Sequence, residues 1–279
     1  MSKTTKSGTG QWSESSVNIW TGCENDCAYC YAREMAVRHG RLNSSAEWAT
    51  PTLRPNAISK GYGKRKGVVM FPTTHDITPG NLDECVHVLK KLLQAGNRVL
   101  IVSKPRLSCV RRMVDDLPEW CEQIMFRFSI TTSSYTVHDL WEPNAPGPGV
   151  RMNSAALAME AGYRVSISCE PFLGHMILAA RGFRSVGESA ASHYAEVQAV
   201  SNGPIWFGLM NKISQRVLPC VPAVEVARLQ AMHEPAAVRS IHDALVGKPR
   251  VKFKESITNT LGLPADVDEW PELPKASDA

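Results

Sequence analysis

A partial (β/α)6-type TIM barrel, with parallel strands inside and helices outside, is the fold class the α/β sequence predicts. Short apolar runs alternate with helix-length amphipathic stretches along most of the chain, the pattern of parallel strands joined by right-handed crossovers. Several runs end in polar residues, and in such barrels the working residues gather at the C-terminal ends of strands. With 279 residues, 43% of them hydrophobic, the chain can bury a barrel-sized core.

The elements follow in order. Residues 1–14 carry no periodic pattern and are expected to be a flexible N-terminal segment, with the barrel over 15–258 and a Pro-rich, acidic tail over 259–279. Ser15 to Trp20 predicts a strand that delivers a cysteine loop, and Tyr31 to His39 a helix. Lys60 to Gly67, with three glycines and four cations, predicts a flexible basic loop. Strand Val68 to Phe71 leads to a helix capped by Asn81, running to Gln94 and closed by Gly96. Strand Arg98 to Ser103 precedes a helix over Leu107 to Asp115, and strand Ile124 to Ile130 a helix from Arg151 to Ala161, stopped by Gly162. Arg164 to Ser168 is the next strand, followed by an apolar helical segment from Phe172 to Ala180. Ile205 to Met210 and Val251 to Phe253 are the last strands, with helices Ala223 to His233 and Ala236 to Val246 between them.

The formal charge of +4 permits an acidic partner without requiring one. The apolar runs are too short to cross a bilayer and the N-terminus lacks a signal peptide's apolar centre, which predicts a cytoplasmic protein with no membrane partner. Eight cysteines are too few for a disulfide scaffold. Cys85, Cys109, Cys121 and Cys220 have no ligand spacing and are read as structural.

Three thiols crowd into Gly22-Cys23-Glu-Asn-Asp-Cys27-Ala-Tyr-Cys30-Tyr31. Thiolates are soft ligands, and a short loop can wrap three corners of an iron-sulfur cube while leaving one iron open. A structural zinc site is the alternative. It needs a fourth ligand, and the nearest candidate, His39, stands at no common finger spacing from Cys30.

A CxxxCxxC motif with an aromatic residue before its last cysteine resembles the radical S-adenosylmethionine superfamily. More narrowly, Gly22 to Ala32, Val102-Ser-Lys104, Phe126-Arg-Phe-Ser129, Leu140-Trp-Glu-Pro143 with Arg151, and Ser168-Cys-Glu-Pro171 resemble the spore-photoproduct-lyase branch and its uncharacterised phage relatives, from about Val17 to Glu255. The resemblance implies a four-iron, four-sulfur cluster on Cys23, Cys27 and Cys30. It implies S-adenosylmethionine on the open iron, cleaved reductively to a 5′-deoxyadenosyl radical that abstracts hydrogen from a substrate. An external flavodoxin- or ferredoxin-like electron donor is implied as well.

The strand-end rule selects the other candidates. Lys104 offers an ammonium to the carboxylate of the methionine moiety, a contact the lyase branch also implies, and Ser129 resembles a second carboxylate contact. Thr131, Thr74, Asp76 and Tyr29 join them as cofactor-binding candidates, with ordinary backbone capping the alternative for Ser129 and Thr131. His75, Cys169 and Glu170 are the catalytic candidates. Glu170 is a carboxylate after an apolar strand, costly to bury unless it meets a ligand or cation, while Arg151 and Glu142 are expected to pair with each other. In the lyase branch a cysteine after the second strand returns hydrogen to the product radical. Here Thr73 and Thr74 stand there, which puts photoproduct repair by that route in doubt and leaves Cys169 as either a replacement donor or a small buried hydrophobe.

The resemblance and the basic residues Lys60, Lys64, Arg65 and Lys66 predict a substrate that is a thymine-type nucleobase in DNA or a nucleotide. A peptide or small metabolite, or a non-catalytic iron-sulfur sensor or nucleic-acid binder, are the competing expectations.

Overall fold

The computed structural model describes residues 8–175, 182–268 and 270. One open sheet runs in the order β1 (Ser15–Ser16), β4 (Val68–Phe71), β5 (Arg98–Ser103), β6 (Ile124–Ser129), β7 (Arg164–Cys169), β8 (Ile205–Phe207) and β9 (Val251–Phe253). All neighbours in it are parallel. The edges β1 and β9 do not pair, so the barrel is partial, as the sequence predicts.

Alternation along the strands sorts the core into two layers. Val69, Phe71, Val99, Ile101, Phe126, Phe128, Val165 and Ile167 face the helices. Met70, Leu100, Met125 and Trp206 face the interior and meet Trp12 there. Arg127 shares the interior parity and is fully buried, donating to Ser166 Oγ at 2.9 Å and Asp268 Oδ1 at 2.8 Å.

The helices mostly stand where periodicity put them. Helix α1 is Tyr31–Arg38, α3 Leu82–Gln94, α4 Leu107–Asp116, α9 Ala223–Ala231 and α10 Pro235–Leu245, while the short α2 at Pro55–Ser59 has no counterpart in the sequence expectations. In α3 the residues Cys85, Val88, Leu89 and Leu92 repeat at helical spacing and are buried.

Several expectations are corrected. Ser15 to Trp20 is two strands: the side-chain oxygen of Asn18 accepts from Thr73 N and Thr74 N and turns the chain out of the sheet. The chain then forms β2 (Trp20–Thr21), which pairs antiparallel with β3 (Thr52–Leu53). Asn81 does not cap α3 with its side chain; it closes a capping box with Thr78 around a single turn before the helix. Helix α6, Pro148–Glu160, begins before Arg151 because proline suits the first turn. Phe172 to His175 is not helical, and the rest of that expected segment, 176–180, lies outside the described residues. The crossover to β8 is instead carried by α7, Val186–Val197, whose Ser/Ala-rich sequence shows little amphipathic period. Helix α5, Tyr135–Trp141, capped by Ser134, and the short α8, Ile213–Arg216, were not predicted.

The expected tails are structured where described. Trp12 is buried, and Gly8 N donates to Glu255 Oε1 at 2.7 Å. Helix α11, Glu255–Leu261, crosses the expected boundary at 258, and Asp266 accepts from Phe253 N. The basic loop is pinned rather than free: Asn97 takes Arg65 N and donates to Gly63 O, Lys64 reaches Gly96 O, and Lys60 and Arg65 lie over Tyr62. Gly96 and Asn97 lead into β5, so the loop sits at the strands' N-terminal end. No helix among the described residues is long and apolar enough to cross a membrane.

Candidate active site

The cysteine loop runs from β2 to α1 and is folded by its own surroundings. Arg33, almost fully buried, donates from Nη1 to Asp26 Oδ1 at 2.7 Å and Cys27 O at 3.0 Å, and from Nη2 to Ala28 O at 3.2 Å. Ala28 N bonds Trp141 O, and Cys23 N bonds Trp48 O at 2.9 Å. Gly22 has φ +98°, and a Cβ there would stand 2.7 Å from Trp48 O. A side chain at Gly22 therefore meets both backbone strain and a clash. Gly22→Ala is expected to lower the iron content of reconstituted protein, measured against wild type at equal soluble yield.

Burial pushes the Cys23 thiol well up, reinforced by Asp76, Cys27 and Cys30. Burial likewise lifts Cys27 to about 12 although Lys104 opposes it, and raises Cys30. The three sulfurs thus feel one another and resist ionisation unless a cationic centre compensates them. No group of three His, Cys, Asp or Glu side chains among the described residues is set to hold a single metal ion. Three thiols of a cubane would bind three different irons, so that finding does not oppose a cluster.

The cysteines open into a cavity of about 250 Å³ at the C-terminal ends of the strands. Lys104, Ser129 and Glu170 line it, sharing interior parity with Val102, Arg127 and Ser168. Thr74 also lines it, and its hydroxyl is buried with no protein partner. Lys104 Nζ is 3.9 Å from Glu142 Oε1 and lies over the Tyr29 ring. Burial would lower its pKa, but Cys27, Tyr29, Asp76 and Glu142 hold it well above the usual value. Three soft donors, an ammonium and an unpartnered hydroxyl in one cavity fit an iron-sulfur cluster with S-adenosylmethionine.

Glu142 organises this wall. It is fully buried, accepts from Tyr29 Oη and from Thr131 Oγ1 at 3.0 Å, and pairs with Arg151 Nη2 at 2.5 Å, the expected pair. Burial would raise its pKa, but Arg151, Lys104 and these hydrogen bonds bring it down to about 2.

Other candidates have different work. Asp76 lines the cavity, but its carboxylate is filled by Ser103 Oγ, Lys104 N and Asn25 Nδ2, at 2.9, 2.7 and 2.8 Å, and it serves as a brace for the cysteine loop. His75 accepts from Ile19 N at Nε2 and meets Asp76 O at Nδ1, so both ring nitrogens are spent on backbone and neither is left for proton transfer. Thr131 does not line the cavity, since its hydroxyl serves Glu142. Cys169 has the opposite parity to Glu170: it is fully buried in the helix-facing core, its thiol raised by burial, and it does not line the cavity. The strand's alternation puts it there, in the small-hydrophobe role.

His75 and His193 are both pushed down from 6.5 to about 4 by burial, and both fold neutral. The unfolded chain binds protons below about 6.5 that the folded chain takes only near 4, so their contribution is full above 6.5 and is lost as pH falls towards 4. Urea midpoints measured across that range should fall with pH, and His193→Gln should flatten the slope.

Trp12, Tyr31, Arg216 and Lys254 also line the cavity and were missed. Lys254, 1% exposed, donates to Gly8 O at 2.7 Å, stands 4.1 Å from the Trp12 ring centre and 3.8 Å from Glu170 Oε2. It fastens the N-terminal segment across the open side of the barrel. Gly208 permits this: a Cβ there would lie 2.7 Å from Lys254 Cγ and 3.1 Å from Glu170 Cγ. Only Tyr31, next to Cys30, carried a sequence signal.

No protein-family model matches the chain. The uncharacterized protein ORF301 of Acidianus two-tailed virus is 31% identical over 166 residues, 56% of this chain and 54% of that protein. The chain thus spans about half the length of the curated relative it matches. Among solved structures, a spore photoproduct lyase mutant superposes with a TM-score of 0.53 at 18% identity, over 90% of this chain and 79% of that one. Spore photoproduct lyase complexed with dinucleoside spore photoproduct gives 0.51 at 18%, over 85% and 75%. SuiB of Streptococcus suis bound to S-adenosylmethionine gives 0.50 at 10%, over 86% and 49%. The chain has the partial-barrel fold of these radical S-adenosylmethionine enzymes, the superfamily its cysteine motif resembles.

Proposed function

We propose that the chain is a radical S-adenosylmethionine enzyme acting on a thymine-type nucleobase in DNA or a nucleotide. The observation that carries the reading is the convergence of Cys23, Cys27 and Cys30 with Lys104 and the unpartnered Thr74 hydroxyl in one strand-end cavity. When bound, a four-iron, four-sulfur cluster supplies the electron that cleaves S-adenosylmethionine to a hydrogen-abstracting 5′-deoxyadenosyl radical, replenished by a flavodoxin- or ferredoxin-like donor.

The chain's residues do the holding and shielding. Cys23, Cys27 and Cys30 ligate three irons, and the Asp76 and Arg33 braces fix their loop. Lys104 meets the methionine carboxylate, with Glu142 and Tyr29 keeping its ammonium charged and aimed at the cavity. Ser129 and Thr74 offer hydroxyls beside it. The strap around Trp12 excludes water from the barrel's open side. Lys104→Ala is expected to raise the half-saturating S-adenosylmethionine concentration roughly ten-fold or more, the scale of a lost charged hydrogen bond. An unchanged value in a saturation series would remove Lys104 from the cofactor site.

The nucleobase reading rests on extent of likeness. The chain spans 75–79% of the lyase, which was solved with a dinucleoside photoproduct, but only about half of SuiB, solved with a precursor peptide. The basic loop lends no support, since it stands at the far end of the strands. Thymine-containing DNA deuterated on the base tests the reading: deuterium is expected in the 5′-deoxyadenosine formed. Its absence, with 5′-deoxyadenosine still produced, would overturn the nucleobase assignment.

A further inference from the structure

Two charged side chains in the cavity, Glu170 and Arg216, have no part in the cysteine ligand set or the Lys104 wall. Glu170 directly follows β7, its side chain 23% exposed, and among the described residues its carboxylate meets one cation within 4 Å, Lys254 at 3.8 Å. That cation is already committed to Gly8 O. Burial raises the Glu170 pKa, with Lys254 opposing it, and Arg216 contributes only a weaker attraction. Arg216 stands at the end of α8, held by its own carbonyl to Arg33 Nη2 at 3.3 Å, with its guanidinium 5.8 Å from the Tyr31 ring centre. Its Nε is buried without a partner. Both line the cavity, both act on Tyr31, and no ion pair joins them.

A carboxylate and a guanidinium that face one cavity without meeting leave a gap with an acceptor on one side and a donor on the other. Arg216 Nε is buried without a partner and Glu170 has Lys254 only at 3.8 Å, beyond hydrogen-bond distance, so the arrangement is complementary to a ligand that supplies the reverse pattern. A group that carries both a donor and an acceptor satisfies the two sides at once, which a simple anion or cation does not. The neutral group with an N–H beside a C=O on one edge is a lactam or imide.

Resting on the nucleobase reading above, we infer that Glu170 and Arg216 determine specificity by reading the imide edge of a thymine, Glu170 accepting from its ring N–H and Arg216 donating to the adjacent carbonyl. Cytosine presents an acceptor where Glu170 needs a donor, and pairing two acceptors leaves one of them desolvated. The pair therefore selects thymine over cytosine. Neither residue takes part in holding the cluster.

The test uses the reconstituted holoenzyme with S-adenosylmethionine and no reductant, and a short single-stranded oligonucleotide with one thymine, one 3-methylthymine, one cytosine or an abasic position at the same site. Fluorescence anisotropy should show the thymine strand binding roughly ten-fold or more tightly than the other three, the range of a lost charged hydrogen bond. Glu170→Ala and Arg216→Met should each bring thymine down to the level of 3-methylthymine while iron and sulfide content stay unchanged. Equal binding of thymine and 3-methylthymine would overturn the imide reading while the nucleobase assignment stood, and needs no variant to fold. Equal binding of all four strands, or no binding of any of them and none of free thymidine monophosphate, would overturn the nucleobase assignment and this inference together.

Discussion

Cys27→Ala is expected to give a protein that folds but stays colourless after anaerobic reconstitution, without a stoichiometric complement of iron and sulfide. Cys27 is buried in the loop between Arg33 and Trp141, and its backbone is fixed by bonds that do not involve the sulfur: its carbonyl takes Arg33 Nη1, and its neighbour Ala28 bonds Trp141. Losing the thiol therefore leaves the loop in place. What goes is one of the three soft ligands that would hold the proposed cluster, and two thiolates would not be expected to keep it. The thiol of wild type resists ionisation, with its pKa pushed up to about 12. Uptake of iron must displace that proton, so cluster loading should improve as pH rises. Iron and sulfide assays on equal amounts of folded protein check the first expectation. Full loading of the alanine variant would remove Cys27 from the ligand set.

The second large effect is on stability. Glu142 ties four elements: Tyr29 in the cysteine loop, Lys104 after β5, Thr131 after β6 and Arg151 on α6. Removing one partner of a buried ion pair strands the other charge, a loss of about 3–5 kcal/mol. Glu142→Ala leaves Arg151 buried without its carboxylate and Tyr29 Oη without its acceptor, and should lower the unfolding free energy by that amount, read as a lower urea midpoint. The double variant Glu142→Leu, Arg151→Met removes both charges and should recover much of the loss. If the double variant is no more stable than Glu142→Ala, the ion pair is not what holds this wall.

How much of the fold and site is legible in the sequence depends on distance along the chain. The cysteine loop is local, with three thiols in one turn of chain, and its spacing favours a cluster over zinc. The strands Val68–Phe71 and Arg98–Ser103 are read to the residue because apolar runs bounded by polar ones are a local signal. Lys104 and Glu170 follow from the strand-end rule. The same alternation already separates Cys169 from Glu170, since neighbours on a strand face opposite ways. His75, Asp76 and Thr131 are the right residue types near the right place, but their polar atoms are used by Ile19, Ser103 and Glu142, partners that no local pattern identifies. Lys254 and Gly8 are 246 residues apart in the chain and bonded in the fold, and Trp12 has no motif around it. Contacts of that range are set by packing alone. Helix α7 escapes detection because its buried face includes Gly187, Ser189 and Ala190, residues too small to write an apolar stripe.

Anaerobic reconstitution followed by dithionite and S-adenosylmethionine is the most direct test of the central claim that these three thiols hold a cluster that cleaves S-adenosylmethionine. The expected result is about four irons and four sulfides per chain, with 5′-deoxyadenosine and methionine released in equal amounts and neither product from Cys27→Ala. A fully loaded, reduced wild-type protein that forms no 5′-deoxyadenosine would contradict it.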